Sequence, residues 1–419
     1  MKLLPLAALL TALSALAQSA PPTITPVPQP ESLTLSQKYR RMLVGPGYKQ
    51  PKPYPGYAGF VGWTSIVRTR SGALLLTFSS GYWHASPPVP STDIKPEDLA
   101  SWRKMGMPSL DAPRGGRIEI MRSDNGGKTW SDPAPMIDTP WDDRSPALAQ
   151  LPDGTLVASF FTYPLPAVAI IRSRDDGRTW EQTPKLLRAP FFSLATDGPP
   201  LVLPDGSLLL AAYGSEKEHD PFESLAIFAS RDRGDSWQHL STIRAPHELT
   251  EPGLARLPDG TLVVIARPEG AISWSTDGGH TWTAPQNLPA RMFDPWLLTL
   301  RDGTLLCLHG SYQRKHHGLR AIVSKDGGHT WTGAGPDYGF PVDPSVYGYS
   351  RGTQLPDGSV YVVFQGTGGH KSEDARSMAL YGMRLRVTAD GRAVKLLPAP
   401  GGLKAKPTAK KTPGPRQGI

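Results

Sequence analysis

The chain has 419 residues, 39% of them apolar and 20% charged, which is enough hydrophobe for one large core. Its 45 prolines and 43 glycines exceed what long helices tolerate, so a helical bundle and a coiled coil are excluded. The formal charge of +8 sits largely at the two ends, in Lys2 and in Lys404, Lys406, Lys410, Lys411 and Arg416, so the body is nearly neutral and no nucleic-acid partner is expected.

Residues 1–17 read as a signal peptide: Lys2 gives a positive start, Leu3 to Ala17 an apolar run, and Ala15-Leu16-Ala17 a small-residue cleavage site. Export to a bacterial periplasm or the exterior is the expectation. No later stretch reaches the roughly 20 apolar residues of a membrane span. The lone Cys307, in the apolar run TLLCLHG, can form no internal disulfide and reads as a buried small hydrophobe. Residues 18–50 form an N-terminal extension, 51–397 a repeat domain, and 398–419 a disordered Lys/Pro/Gly tail. An insertion at 80–116 in the first repeat, with GYWHASPPVP and SWRKMGMPS, is long enough to loop over one end of the domain.

Five segments within the repeat domain share one pattern: SDNGGKTW, SRDDGRTW, SRDRGDSW, STDGGHTW and SKDGGHTW, ending at Trp130, Trp180, Trp237, Trp282 and Trp331. Ser, Asp or Asn, Gly and Trp stay in phase each time, so this is an internal repeat. The Asp or Asn side chain accepts from nearby amides, Gly takes positive φ, and Trp packs back on a sheet. A second punctuator, as in LPDGTLVASF and LPDGTLVVIAR, places an Asp-Gly turn ahead of a strand at Gly154, Gly206, Gly260, Gly303 and Gly358, with a weaker copy at Gly72. Six units of about 50 residues, each with two turns and four strands, predict an all-β six-bladed propeller. A parallel β-helix would need shorter coils with a single turn type.

Counting nine residues back from each turn glycine gives Trp63, Ser145, Asp197, Glu251, Asp294 and Tyr349. Corresponding ends of inner strands converge in a ring, so these residues predict the wall of a polar funnel. Arg144 stands one place earlier, and Arg267 stands seven past its glycine, where the second strand leaves the core. A glutamate beside a tyrosine can take the phenolic proton and activate it against a sugar carbon, while an arginine holds a carboxylate in two-pronged hydrogen bonds. His84 in the insertion is a further contact candidate. The chain shows no phosphate loop, HExxH or paired CxxC, and Asp142-Asp143 alone make no coordination sphere, so no metal or cofactor is expected.

At these residues the chain resembles the sialidase superfamily, whose members are six-bladed propellers with Asp-box turns. EPGLARLPDGTLVVIAR resembles the segment whose Glu partners the catalytic tyrosine and whose Arg grips the substrate carboxylate, implying Glu251 and Arg267. GYSRGTQLPDG resembles the segment carrying the nucleophile, implying Tyr349, and DAPRGGRIEIMRSDNGGKTW resembles the approach to the first box, implying Asp111 as acid/base. The family's first triad arginine has no counterpart, since VGWTS puts Gly62 and Trp63 in its place; Arg314 and Arg320 lie near the place of the third, and Arg144 is a substitute cation. The resemblance implies a monomeric glycoside hydrolase acting on a terminal, acidic sugar with retention. A uronate polysaccharide lyase and a non-catalytic glycan-binding propeller are the alternatives.

Overall fold

The computed structural model describes residues 20–45, 60–81, 116–163, 167–187, 189–367 and 378–401. The leader, most of the insertion with His84 and Asp111, and the tail beyond Gly401 lie outside the described residues. Six sheets stand around one axis, each contributing one blade of the propeller whose own strands run antiparallel. Blade four shows the plan: an inner strand Thr250–Arg256, then Leu262–Arg267, Ala271–Ser275 and the short outer strand Gln286–Asn287. The second strands are the most apolar, with LVVIA of blade four and VYVVF of blade six entirely buried. Their runs of β-branched and aromatic residues suit a strand covered on both faces.

Hydrophobic packing falls between blades rather than inside them. Leu306, Leu308 and Phe340 of blade five pack on Val360, Val362 and Phe364 of blade six, and five equivalent clusters join the other neighbours. The Asp-Gly turns close the inner hairpins at one end. Gly154 adopts φ 94° there while its N–H reaches the Leu151 carbonyl at 3.0 Å, a geometry a side chain would strain. Cys307 is buried, as its apolar run predicts.

At the outer rim each box closes on itself. In STDGGHTW the Ser275 hydroxyl accepts from Gly279 N–H at 2.9 Å, Asp277 accepts from the Thr281 amide and hydroxyl, and the Trp282 indole N–H donates to the Gly279 carbonyl at 3.1 Å. The same bonds recur around Asp175, Asp232 and Asp326.

The segment before the propeller is structural too. Thr23–Pro26 pairs in parallel with Thr330–Gly333 on the outside of blade five. A short helix, Leu33–Tyr39, follows, capped by the Ser32 side chain. Arg41–Val44 then pairs antiparallel with Leu380–Gly382 and extends the outer edge of blade six, beside Val394–Leu397. Among the described residues no helix is long and apolar enough to cross a membrane.

Candidate functional site

The inner strands do not run straight. In five of the six blades the ladder between first and second strands is interrupted by a bulge. The bulged residues are Trp63, Ser145, Glu251, Asp294 and Tyr349, all at φ between 46° and 52°. Non-glycine residues rarely adopt this region, and a bulge is a standard way to re-aim a side chain at a site. Five of the six positions nine before the turn glycine thus share one strained backbone shape; the sixth, Asp197, lies outside regular strand. The strain is shared between blades. The Trp63 amide donates to Gln365 Oε1 at 3.0 Å, the Ser145 amide to Ser79 Oγ at 3.0 Å, and the Asp294 amide to Glu251 Oε2 at 2.8 Å.

Glu251 is the centre of the constellation. Its Oε1 accepts from the Tyr349 hydroxyl at 2.6 Å and from Arg267 Nη1 at 2.6 Å. Burial, and then the Glu251 charge, hold the Tyr349 phenol well above its ordinary pKa, so at rest it keeps its proton. Burial works against the Arg267 charge, but Glu251 beside it more than compensates and the guanidinium stays protonated. Its side chain is 32% exposed, so it reaches solvent while gripping Glu251. Tyr349 is held by aromatic packing: its ring lies 5.9 Å from Phe293 and stacks on Tyr347 at 5.9 Å and 11°. Phe293 occupies a slot that side chains at Gly310 and Gly348 would fill, with virtual Cβ atoms 2.0 and 2.8 Å from its ring. Tyr312, 40% exposed, lies beside Arg267 and completes the mouth.

Asp197 and Asp294 lie deeper on the axis, and Arg351, which the register reading does not single out, joins them. Its Nη1 and Nη2 grip Asp294 as a fork at 2.7 Å each, while Nε and Nη2 donate to the Asp197 carbonyl. Burial, opposed by Arg351, leaves the Asp294 carboxyl above the ordinary range; burial and then the Glu251 charge do the same to Asp197. Two places after the register residue the other blades carry Ser65, Ala147, Pro199, Gly253 and Trp296. One charged residue among such positions was the available signal. The space between Trp63, Ser145, Asp197, Asp294, Tyr349 and Arg351 is about 10 Å³, so the axis is closed there. Beyond the closure a cavity of about 470 Å³ opens on the opposite face, lined by residues leading to the Asp-Gly turns, such as Leu148, Arg256 and Thr353.

The other expected arginines are engaged elsewhere. Arg144 is buried, salt-bridged to Asp142, with its guanidinium 5.7 Å from the Trp63 ring and 4.9 Å from that of Tyr163. Arg320 is fully buried, bound to Glu31 of the N-terminal segment and to the carbonyls of His316 and His317. Arg314 is exposed in a single 3-10 turn. The structure therefore brings together Tyr349, Glu251, Arg267, Asp294 and Asp197, with Trp63 along the wall, and leaves Arg314 and Arg320 out of the constellation. No group of three metal-ligating side chains occurs among the described residues.

Fold and site define a class. Residues 112–362 match the BNR repeat-like domain, and the chain belongs to that family. Its propeller is that of the sialidases. The NanB sialidase of Streptococcus pneumoniae superposes with a TM-score of 0.57 at 14% identity, covering 82% of this chain and 70% of that one. The intramolecular trans-sialidase of Ruminococcus gnavus gives a TM-score of 0.57 at 14% identity, covering 83% and 98%. A protein of unknown function from Dyadobacter fermentans gives 0.62 at 19% identity, covering 83% and 99%. None of the curated proteins matches the chain.

Proposed function

We propose that the protein is an exported glycoside hydrolase that releases a terminal, acidic sugar with retention of configuration. The observation that carries this reading is the 2.6 Å hydrogen bond from the Tyr349 hydroxyl to Glu251 at a solvent-reaching mouth. A neutral phenol is a weak nucleophile and needs a base in contact at the moment of attack. As the phenol oxygen bonds to the anomeric carbon, its proton passes to Glu251 Oε1 and the glycosidic bond breaks. The leaving oxygen takes a proton from an acid, the part the sequence resemblance gives to Asp111. Water then attacks the anomeric carbon, that group now acting as base, and the phenol recovers its proton from Glu251 as it leaves. A phenol that attacks without net charge avoids repelling a sugar that carries a carboxylate. Arg267, the protonated guanidinium at the mouth, meets that carboxylate.

A glycan-binding propeller without turnover is the second reading. The salt bridge that occupies Arg144 and the burial of Arg320 favour it, because they leave a single arginine of the expected set beside the pair. A panel of sialosides, uronosides and neutral glycosides, assayed with wild type and Tyr349→Phe, separates the readings. Hydrolysis expects a reducing sugar released by wild type and a loss of about 10³-fold in the variant. Retained glycan with no product identifies a binder, and an ultraviolet-absorbing unsaturated product identifies a lyase. Turnover undiminished in a folded Tyr349→Phe variant rules out the tyrosine mechanism.

A further inference from the structure

We propose that Arg351 and Asp294 form a positioning pair that fixes the proton acceptor Glu251 against Tyr349, an inference that rests on the reading of those two residues given above. Arg351 is 5% exposed, and five bonds leave its guanidinium: one from Nε, two from Nη1 and two from Nη2. A guanidinium has five N–H donors, so none remains to hold a ligand. Arg351 is therefore no substitute for a substrate-binding arginine.

Its bonds hold two backbone carbonyls, of Asp197 and Ser350, and one carboxylate, of Asp294. The fork fixes the Asp294 carboxylate, which also accepts from the Ser350 amide at 3.1 Å. Ser350 follows Tyr349, so this bond ties the nucleophile's own bulge to blade five. Asp294 itself stands at φ 46°, and in that conformation its amide points to Glu251 Oε2 at 2.8 Å. Glu251 is thereby pinned from below at Oε2, which leaves Oε1 for Tyr349 and Arg267 above. The same guanidinium reaches the Asp197 carbonyl in blade three. One side chain from blade six thus ties together the three blades around the acceptor, and a charge-assisted fork supplies the directional stiffness this needs. Arg267 faces outward and would meet the sugar; Arg351 faces inward and would set the geometry.

The test uses the full chain and needs no substrate for its first readout. In protein carrying isotope-labelled tyrosine Cζ, the Tyr349 resonance is assigned by its loss in Tyr349→Phe, and its shift reports the hydrogen bond to Glu251. Arg351→Met leaves Asp294 as a lone buried charge and can fail to fold, so the deciding variant is Arg351→Met with Asp294→Asn, which removes both charges together. The expected result is a displaced Tyr349 resonance in a folded protein, with kcat lowered about 100-fold and KM held within about threefold. Arg351→Lys, which keeps the charge and loses the fork, is expected between this variant and wild type. A Tyr349 resonance unmoved in the double variant overturns the proposal whatever the activity, and a lysine variant identical to wild type overturns the role of the fork. If the resonance moves as expected while Tyr349→Phe retains full turnover, the positioning pair stands and the reading of Tyr349 as nucleophile is the one that fails.

Discussion

The propeller carries two sets of acidic residues that obey opposite rules. At the outer rim, Asp175, Asp232, Asp277 and Asp326 each satisfy their oxygens with hydroxyls and amides no more than four residues away. On the axis, Glu251 draws its partners from 16, 43 and 98 residues away. Hydrogen bonds pull the rim carboxyls down, to about 2 at Asp175, where the Thr179 hydroxyl has the largest influence. Burial pushes the axial Asp197 and Asp294 up. The rim repeats because each copy solves the same local problem, namely closing a turn. The axis does not repeat, because six equivalent positions converge on one point and can divide different tasks among themselves.

Substitutions on the two sets should fail in different ways. The largest effect is expected from Glu251→Gln, which can still accept from Tyr349 but is no longer a base. Turnover on the preferred glycoside should fall about 10³-fold with little loss of thermal stability. A melting temperature lowered as much as by a rim substitution would erase the distinction. Next comes Trp331→Ala, which empties a site only 1% exposed and removes the indole bond to Gly328. Denaturant titration should show a loss of about 3–5 kcal/mol, with whatever activity remains per folded molecule unchanged.

Asp277→Ala should cost about 1 kcal/mol, comparable to losing a helix cap. The rim carboxylates also set an acid limit. Their folded pKa values lie below the ordinary value, so their contribution is complete above about pH 4 and is lost as the pH falls toward about 2. Stability measured over that window should lose part of its slope when Asp175 and Asp232 are both changed to Asn. The smallest effect concerns Glu223, whose carboxyl is raised to about 7 by burial and then by Glu248 and Glu251. A raised acid has the opposite sign: its contribution is lost as the pH rises from about 4 toward 7. Glu223→Gln should therefore raise the melting temperature at pH 8 by about 1–2 °C and do nothing at pH 4. A fall at pH 8 would contradict that sign.

The same contrast explains what could be read from the chain alone. Boxes and Asp-Gly turns are local and repeated, so blade number and strand order follow from phase. Phase also located the bulged positions, including the Glu251 and Tyr349 that meet at 2.6 Å. It did not say which arginines would be free. Asp142 neutralises Arg144 from two residues away, a spacing that puts both on one face of a strand and was legible. The partner of Arg320 was not, because Glu31 precedes the repeats and reaches blade five only through the path of the N-terminal segment. Arg351 is not marked by phase, because it stands two places off the register; its charge alone sets it apart from the equivalent positions.

The Arg41–Val44 strand on the edge of blade six has a consequence for the order in which the molecule can be made. It emerges from the ribosome before any blade, whereas its partner Leu380–Gly382 follows the other five. Blade six therefore closes only by pairing with a segment made ahead of the ring, whereas blades two to four can assemble from neighbouring sequence as it appears. Until that late pairing, blade six presents an unsatisfied edge to the surroundings, and a second chain's early strand is its natural competitor. The ring is fastened by a clasp whose halves have five blades of sequence between them, and a domain-swapped dimer is the error this arrangement invites.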